Sequence, residues 1–305
     1  MKKILALALS MMMLFALCAC GGEPAVTTES VEDTTAEVVD TTAAETTADV
    51  ADVETEKKTF RVAMECAYAP YNWAQDTDAN GAVAIADTNM YAYGYDVIIA
   101  KKIAEANNWE LEIVKLDWDS LIPALQSGEV DAVIAGQSIT ADRLKQVDFS
   151  DPYYYATIVT LVKEGSKYEN ATSVADLAGA TGTSQLGTIW YDNCLGQIPN
   201  VNQLPAQETA PAMLVALDAG TVDVVVTDRP TGSAALVAYD NFKMLDFYGT
   251  DGDYEVSDED INIGISVQKG NSEVLAAINK VLATMTTEDY DKLMNDAIAV
   301  QPLSE

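Results

Sequence analysis

Histidine is absent from all 305 residues of this chain. That single absence removes Ser-His-Asp and Cys-His catalysis and the usual zinc ligand sets. Cysteine is scarce, with four in total. Cys18 and Cys20 fall at the end of the first apolar run, which leaves Cys66 and Cys194 for the body of the protein. Two lone cysteines so far apart read as free buried thiols rather than a disulfide framework. Positive charge is short as well: 17 Lys and Arg stand against 48 Asp and Glu, for a net charge of −31. Such a surface repels nucleic acid and anionic lipid alike. After residue 17 no apolar run approaches the roughly 20 residues needed to cross a bilayer.

What is present begins with Met1-Lys2-Lys3, a basic start, followed by an almost unbroken apolar run from Ile4 to Leu17. The run has the length of a signal-peptide core and is short for a membrane span. It ends in Leu17-Cys18-Ala19-Cys20-Gly21-Gly22, which resembles a bacterial lipobox. Residues 1–19 are therefore expected to be a signal peptide, with Cys20 lipidated as the new N-terminus; an ordinary secretory signal is the plainer alternative. Residues 21–56 contain no Lys or Arg and eleven acids. A segment of one charge sign without apolar period cannot offset its ordering entropy. From Cys20 to residue 56 the expectation is a disordered acidic spacer, with a root-mean-square span of roughly 30–36 Å.

From Phe60 onward short β-branched runs alternate with helical patterns. Strands are expected at Phe60–Glu65, Leu111–Asp117 and Ala132–Gly136. Helices are expected at Asp96–Asn107, with Asp96 as N-cap, and at Asp119–Ser127, closed by Gly128. This alternation implies a mostly parallel sheet with helices on its faces. The stretch Ala124–Ile134 (ALQSGEVDAVI) then recurs as Ala216–Val226 (ALDAGTVDVVV). Each copy reads as a helix end, a glycine turn and a buried strand, which suggests two α/β lobes of similar design. Ligands of open parallel sheets sit beyond the C-terminal strand ends. Here those ends are Gly136-Gln137-Ser138 and Thr227-Asp228-Arg229, expected to line one cleft.

Thr140 reads as the N-cap of a helix that carries Arg143 in its first turn. A cation is unfavourable there unless it completes an anion site with the free backbone N–H groups. Arg is suited to that task because its planar fork matches a carboxylate; from spacing alone, a surface salt bridge accounts for it nearly as well. Asp228, at the end of an apolar strand, can meet an ammonium or cap the helix ahead of Pro230. An anion site on one lobe and an acid on the other suit a zwitterion.

The run Trp118–Tyr155 (WDSLIPALQSGEVDAVIAGQSITADRLKQVDFSDPYYY) resembles the signature stretch of the bacterial family 3 solute-binding proteins. Arg61–Trp73, Gly94–Ala104, Gln185–Thr188, Val222–Pro230 and Gly264–Asn271 extend the resemblance to nearly the whole chain after Phe60. It implies a two-lobed α/β periplasmic-binding-protein fold of type II with two crossover hinge strands. Lobe 1 would be residues 57–153 and 263–305, and lobe 2 residues 158–258. It implies that Arg143 pairs with a ligand α-carboxylate, assisted by the Gly136 backbone, the Ser138 hydroxyl and Thr188. Asp228 would accept the α-ammonium, and Tyr68 and Trp118 would sandwich the ligand side chain. On residue type alone those two rings read as core. Glu65 and Gln185 would read the side chain, the acid favouring a polar or cationic one.

The function so implied is that of a lipid-anchored receptor at the outer face of the cell membrane. It would bind an amino acid as a monomer and deliver it to an ABC permease, touching the membrane through its lipid only. No nucleic acid, cofactor or metal is called for. An enzyme on the same scaffold, dehydratase-like, and a sensory module are the alternatives. One departure from the family pattern is the long Ala74–Ala92 stretch. Asp76 to Asp87 fits an EF-hand-like calcium loop except for Asp at the twelfth place, and Asn80-Gly81 fits an ordinary turn equally well.

Overall fold

The computed structural model describes residues 57–302. The expected signal peptide, Cys20 and the expected spacer lie outside the described residues. Two five-stranded sheets organise the body. In the first, Thr59–Met64 pairs in parallel with Glu110–Lys115 on one side and Ala132–Val133 on the other. Ser266–Gln268 follows antiparallel, and Val147–Phe149 forms the far edge. The second sheet repeats this plan. Asn202–Gln203, Thr181–Thr183 and Val224–Asp228 run parallel, Ile158–Lys163 is antiparallel to them, and Phe242–Leu245 closes the edge. Four of the five strands in each sheet run the same way, as expected of a mostly parallel sheet; the one reversed strand is, in each lobe, the strand on which the chain arrives from the other.

The sequence repeat has a physical basis. In each copy a helix, Leu121–Ser127 or Ala210–Asp218, gives way to a left-handed glycine, Gly128 (φ 78°) or Gly220 (φ 69°). The next Asp then grips the start of a neighbouring strand. Asp131 N–H donates to the Arg61 carbonyl at 2.9 Å and its carboxylate accepts from Arg61 N–H at 2.8 Å. Asp223 makes the same pair of bonds with Thr181, at 2.7 and 2.9 Å. The shared Gly and Asp thus set the register of the central strand in both sheets.

Between the sheets the chain crosses twice, at Tyr154–Tyr155 and Asn262–Ile263, and the two crossings pair antiparallel. The loop that leaves Ala132–Val133 is stitched to the second crossing. Ile139 N–H donates to the Asn262 carbonyl at 2.9 Å, and Gly264 N–H donates to the Gln137 carbonyl at 3.0 Å.

The helix expected from Asp96 is Tyr95–Ala106, with Gly94 at its N-cap. Asp96 therefore does not cap it. Its side chain is fully buried and turned inward. Gly94 cannot be replaced easily, since a Cβ there would lie 2.4 Å from the Tyr71 carbonyl. Leu121–Ser127 follows a short turn at Trp118–Ser120. In the Ala74–Ala92 stretch Tyr91–Tyr93 pairs antiparallel with Asn72–Gln75 on one side and Val83–Ala84 on the other, and Asn80 (φ 62°) and Gly81 (φ 80°) turn the chain between those two outer strands. Lys101 Nζ donates to the Gly81 carbonyl at 2.7 Å. Among the described residues no three acidic or thiol side chains gather to hold a metal. Cys66 and Cys194 are free and buried.

Candidate functional site

A narrow cavity lies between the lobes, walled by Tyr68, Trp118, Gly136, Ser138 and Arg143 from the first and Gln185, Thr188, Ile189 and Trp190 from the second. Seven of these were expected from the sequence; Ile189 and Trp190 were not. They follow Thr188 directly and form the start of an irregular helical turn, Trp190–Cys194. The apolar pair after Gln185–Thr188 was the available signal.

Arg143 is placed as its N-cap predicted. The Thr140 hydroxyl accepts from Arg143 N–H at 3.3 Å and starts the short helix Ala141–Leu144. The guanidinium then crosses the cleft. It donates to the Ser138 carbonyl at 2.9 Å and to the Gly187 carbonyl of the other lobe at 3.1 Å. It also lies over the Trp118 ring, 5.4 Å from its centroid. Among the described residues no carboxylate forms an ion pair with it. Burial lowers its pKa to about 10, and the neighbouring Tyr68 and Asp192 oppose this through space. The group is still a cation at neutral pH, but a poorly compensated one.

Asp228 ends the strand Val224–Asp228 and caps the helix Arg229–Ala238, accepting from Thr231 N–H at 2.8 Å. The capping role read from the sequence is the one seen here. Its other oxygen accepts from the Thr231 hydroxyl at 3.1 Å and from the Tyr68 hydroxyl at 2.5 Å. Burial raises its pKa, against these hydrogen bonds. Asp228 is not on the cavity wall; it sits behind the Tyr68 hydroxyl. Its partners are all neutral donors, so it too lacks an opposite charge.

Tyr68 is stacked on Tyr71, with ring centroids 4.7 Å apart. Its ring is therefore partly core, as residue type alone suggested, while one edge faces the cavity. Trp118 is half-buried and more open to a ligand. Gly136 has φ 61°, and a Cβ there would lie 2.6 Å from Tyr68 Cε1. Its N–H is engaged by the Tyr153 hydroxyl at 3.2 Å. The backbone group it has left for a ligand is its carbonyl. Thr188 donates its hydroxyl to the Gln185 carbonyl at 2.7 Å.

Glu65 and Gln185 meet across the cleft, Gln185 Nε2 lying 3.2 Å from one carboxylate oxygen and 3.4 Å from the other. Glu65 is 4 % exposed. Burial raises its pKa to about 7, with the Gln185 hydrogen bond opposing. It faces an adjoining opening lined also by Asp117, Trp118, Asp119 and Glu208.

Two α/β lobes on paired crossings, with a cation and an acid converging on the gap, define a bivalved solute receptor. Residues 60–298 match the family described as bacterial extracellular solute-binding proteins, family 3, and the chain belongs to that family. It is 32% identical over 240 residues to a probable histidine-binding protein of Neisseria gonorrhoeae, covering 77% of this chain and 81% of the relative. It is similar in structure to an amino acid ABC transporter substrate-binding protein of Streptococcus pneumoniae bound to L-arginine. That likeness has a TM-score of 0.66 at 26% identity, over 79% of this chain and 94% of the other. An ancestral amino acid-binding protein, described as a precursor of cyclohexadienyl dehydratase, matches with TM-score 0.63 at 30% identity, over 79% and 95% of the two chains. No described helix is long and apolar enough to cross a membrane.

Proposed function

We propose that this chain is a lipid-anchored receptor that closes on one amino acid and presents it to an ABC permease, without catalysis. The observation that carries the reading is the pair of uncompensated charges, Arg143 on one lobe and Asp228 on the other. A zwitterion supplies the missing partner for each. Its α-carboxylate would take the Arg143 fork and its α-ammonium would meet Asp228, displacing the Tyr68 hydroxyl. Charge-assisted bonds of this kind contribute about 1.5–3 kcal/mol each; together with burial of the ligand between the lobes, the expected affinity is roughly micromolar or tighter. Residues 57–153 with 263–305 would act as one lobe and 158–258 as the other, turning about Tyr154–Tyr155 and Asn262–Ile263.

The ligand is proposed to be cationic in its side chain. Trp118 stands between the cavity and the opening lined by Glu65, Asp117, Asp119 and Glu208. A guanidinium or ammonium on a flexible stem, passing Trp118, would find four acids there. Relatives named for such amino acids are among those matched, one a probable histidine-binding protein and one structure that holds L-arginine, beside others named for glutamine. Lipid on Cys20 and the acidic spacer would keep a monomeric receptor near its permease, raising the local concentration.

A thermal-shift screen of the mature chain against the common amino acids tests this. One or a few amino acids, with arginine, lysine or histidine among them, should raise the melting temperature. Stabilisation by another solute class alone would remove the reading.

A further inference from the structure

Asp96 is a fully buried carboxylate that the zwitterion site does not use. Burying a charge is costly unless its lone pairs are used. Among the described residues no cation pairs with it. It accepts instead from Asn72 Nδ2 at 2.7 Å and from the Tyr153 hydroxyl at 2.6 Å.

Each partner passes the restraint onward. Asn72 Oδ1 accepts from Cys66 N–H at 2.7 Å, the amide next to Glu65. The Tyr153 hydroxyl accepts from Gly136 N–H at 3.2 Å on the cavity wall. Tyr153 N–H donates to the Ile263 carbonyl at 2.9 Å, and its own carbonyl accepts from the Tyr95 hydroxyl at 2.6 Å. Asp96 N–H itself donates to the Tyr71 carbonyl at 2.8 Å.

We infer that Asp96 is a positioning residue for the amino-acid cleft. Its carboxylate holds three segments in one register: the loop carrying Glu65 and Tyr68, the loop carrying Gly136 and Ser138, and Tyr153 at the entrance to the first crossing. These segments are remote in sequence and meet only at the cleft and its hinge, so one charge fixes both the wall and the pivot. Burial lifts its pKa to about 7, against the bonds from Tyr153 and Asn72. A group this costly to ionise fits a site under functional constraint better than a packing role. The inference rests on reading the cleft as an amino-acid site.

The geometry supplies its own test. In Asp96→Asn, an amide offers one acceptor and one donor where two donors converge. With its oxygen on Tyr153 the new amide forces Asn72 to turn its own, which strips the acceptor from Cys66 N–H; with its oxygen on Asn72 it turns an NH2 toward the Tyr153 hydroxyl and leaves that proton without an acceptor. Adding Asn72→Asp restores every bond: the carboxylate at 72 accepts from Cys66 N–H and from the amide at 96, whose oxygen accepts from Tyr153.

Calorimetric titration of the mature wild-type and variant chains with the amino acid found by the screen reads this directly. Asp96→Asn and Tyr153→Phe should each weaken binding about tenfold or more, and the exchanged pair should recover to within about threefold of wild type. Should Asp96→Asn not fold, Tyr153→Phe and the exchanged pair still decide the matter. Variants that lose melting temperature while the folded protein binds as wild type overturn the inference, as does an exchanged pair that binds no better than Tyr153→Phe. A wild-type chain that binds no amino acid overturns the cleft reading and this one with it.

Discussion

Tyr68 of the first lobe donates its hydroxyl to Asp228 of the second at 2.5 Å. The acid proposed to receive an ammonium is thus already bonded across the cleft, and by a neutral donor. On the proposed reading binding is an exchange, in which a charged donor replaces a phenol.

The exchange predicts an ordering of variants. Asp228→Asn removes the charge and should weaken amino-acid binding by about 10- to 150-fold, the range for a hydrogen bond to a charged group. Tyr68→Phe keeps the ring on Tyr71 and removes only the competing donor, so its effect should stay within about threefold. Titration of the two variants side by side checks the ordering.

Arg143 should show that the site trades stability for binding. A half-buried guanidinium held by two carbonyls and one indole face, with no carboxylate, is a poor contributor to the fold. Arg143→Met should leave the ligand-free melting temperature unchanged or higher while abolishing the ligand-induced shift. Arg143→Lys keeps the charge and loses the fork, and should cost about tenfold or more in affinity. Scanning calorimetry with and without amino acid separates these effects.

Gly136 should tolerate no side chain. Its φ of 61° is in the left-handed region, and a Cβ would drive into Tyr68. Gly136→Ala should lower stability by about 1–3 kcal/mol and weaken binding as Tyr68 is displaced. Urea unfolding and titration of the same preparation measure both.

Much of this site could be read from the chain because it is built from local bonds. Thr140 and Asp228 were legible as N-caps, since a cap bonds an amide three residues ahead. The Gly-Val-Asp repeat was legible because each copy makes the same turn and grips a strand the same way. Asp96 was misread as a cap, because its partners, Asn72 and Tyr153, come from segments that only the folded chain brings near. The commitment of the Gly136 amide to Tyr153 was hidden for the same reason. The bond between Glu65 and Gln185 joins two lobes, and no local pattern encodes it.

The buried acids give a signed pH dependence. Glu65 is lifted to about 7 from an ordinary 4.5, and Asp96 to about 7 from 3.8. The folded chain therefore binds more protons than the unfolded chain between those values. Ligand-free stability should fall as pH rises through roughly 4–7 and level off above, with ceilings of about 3 kcal/mol for Glu65 and about 4 kcal/mol for Asp96. Asp228, also raised, acts in the same direction. Glu65→Gln should flatten the profile of melting temperature between pH 5 and 8. A profile with the same slope in the variant would clear Glu65 of that role.

The central claim is that the cleft recognises a zwitterion through Arg143 and Asp228, and its most direct measurement is calorimetric titration with arginine beside agmatine, which lacks only the α-carboxylate. If arginine is the amino acid that emerges from the screen, it should bind at roughly micromolar or tighter, and agmatine should bind at least about a hundredfold more weakly. Another amino acid from the screen is compared with its own decarboxylated amine in the same way. Equal binding of the amino acid and its amine would contradict the account, because the guanidinium of Arg143 would then have no anion to meet.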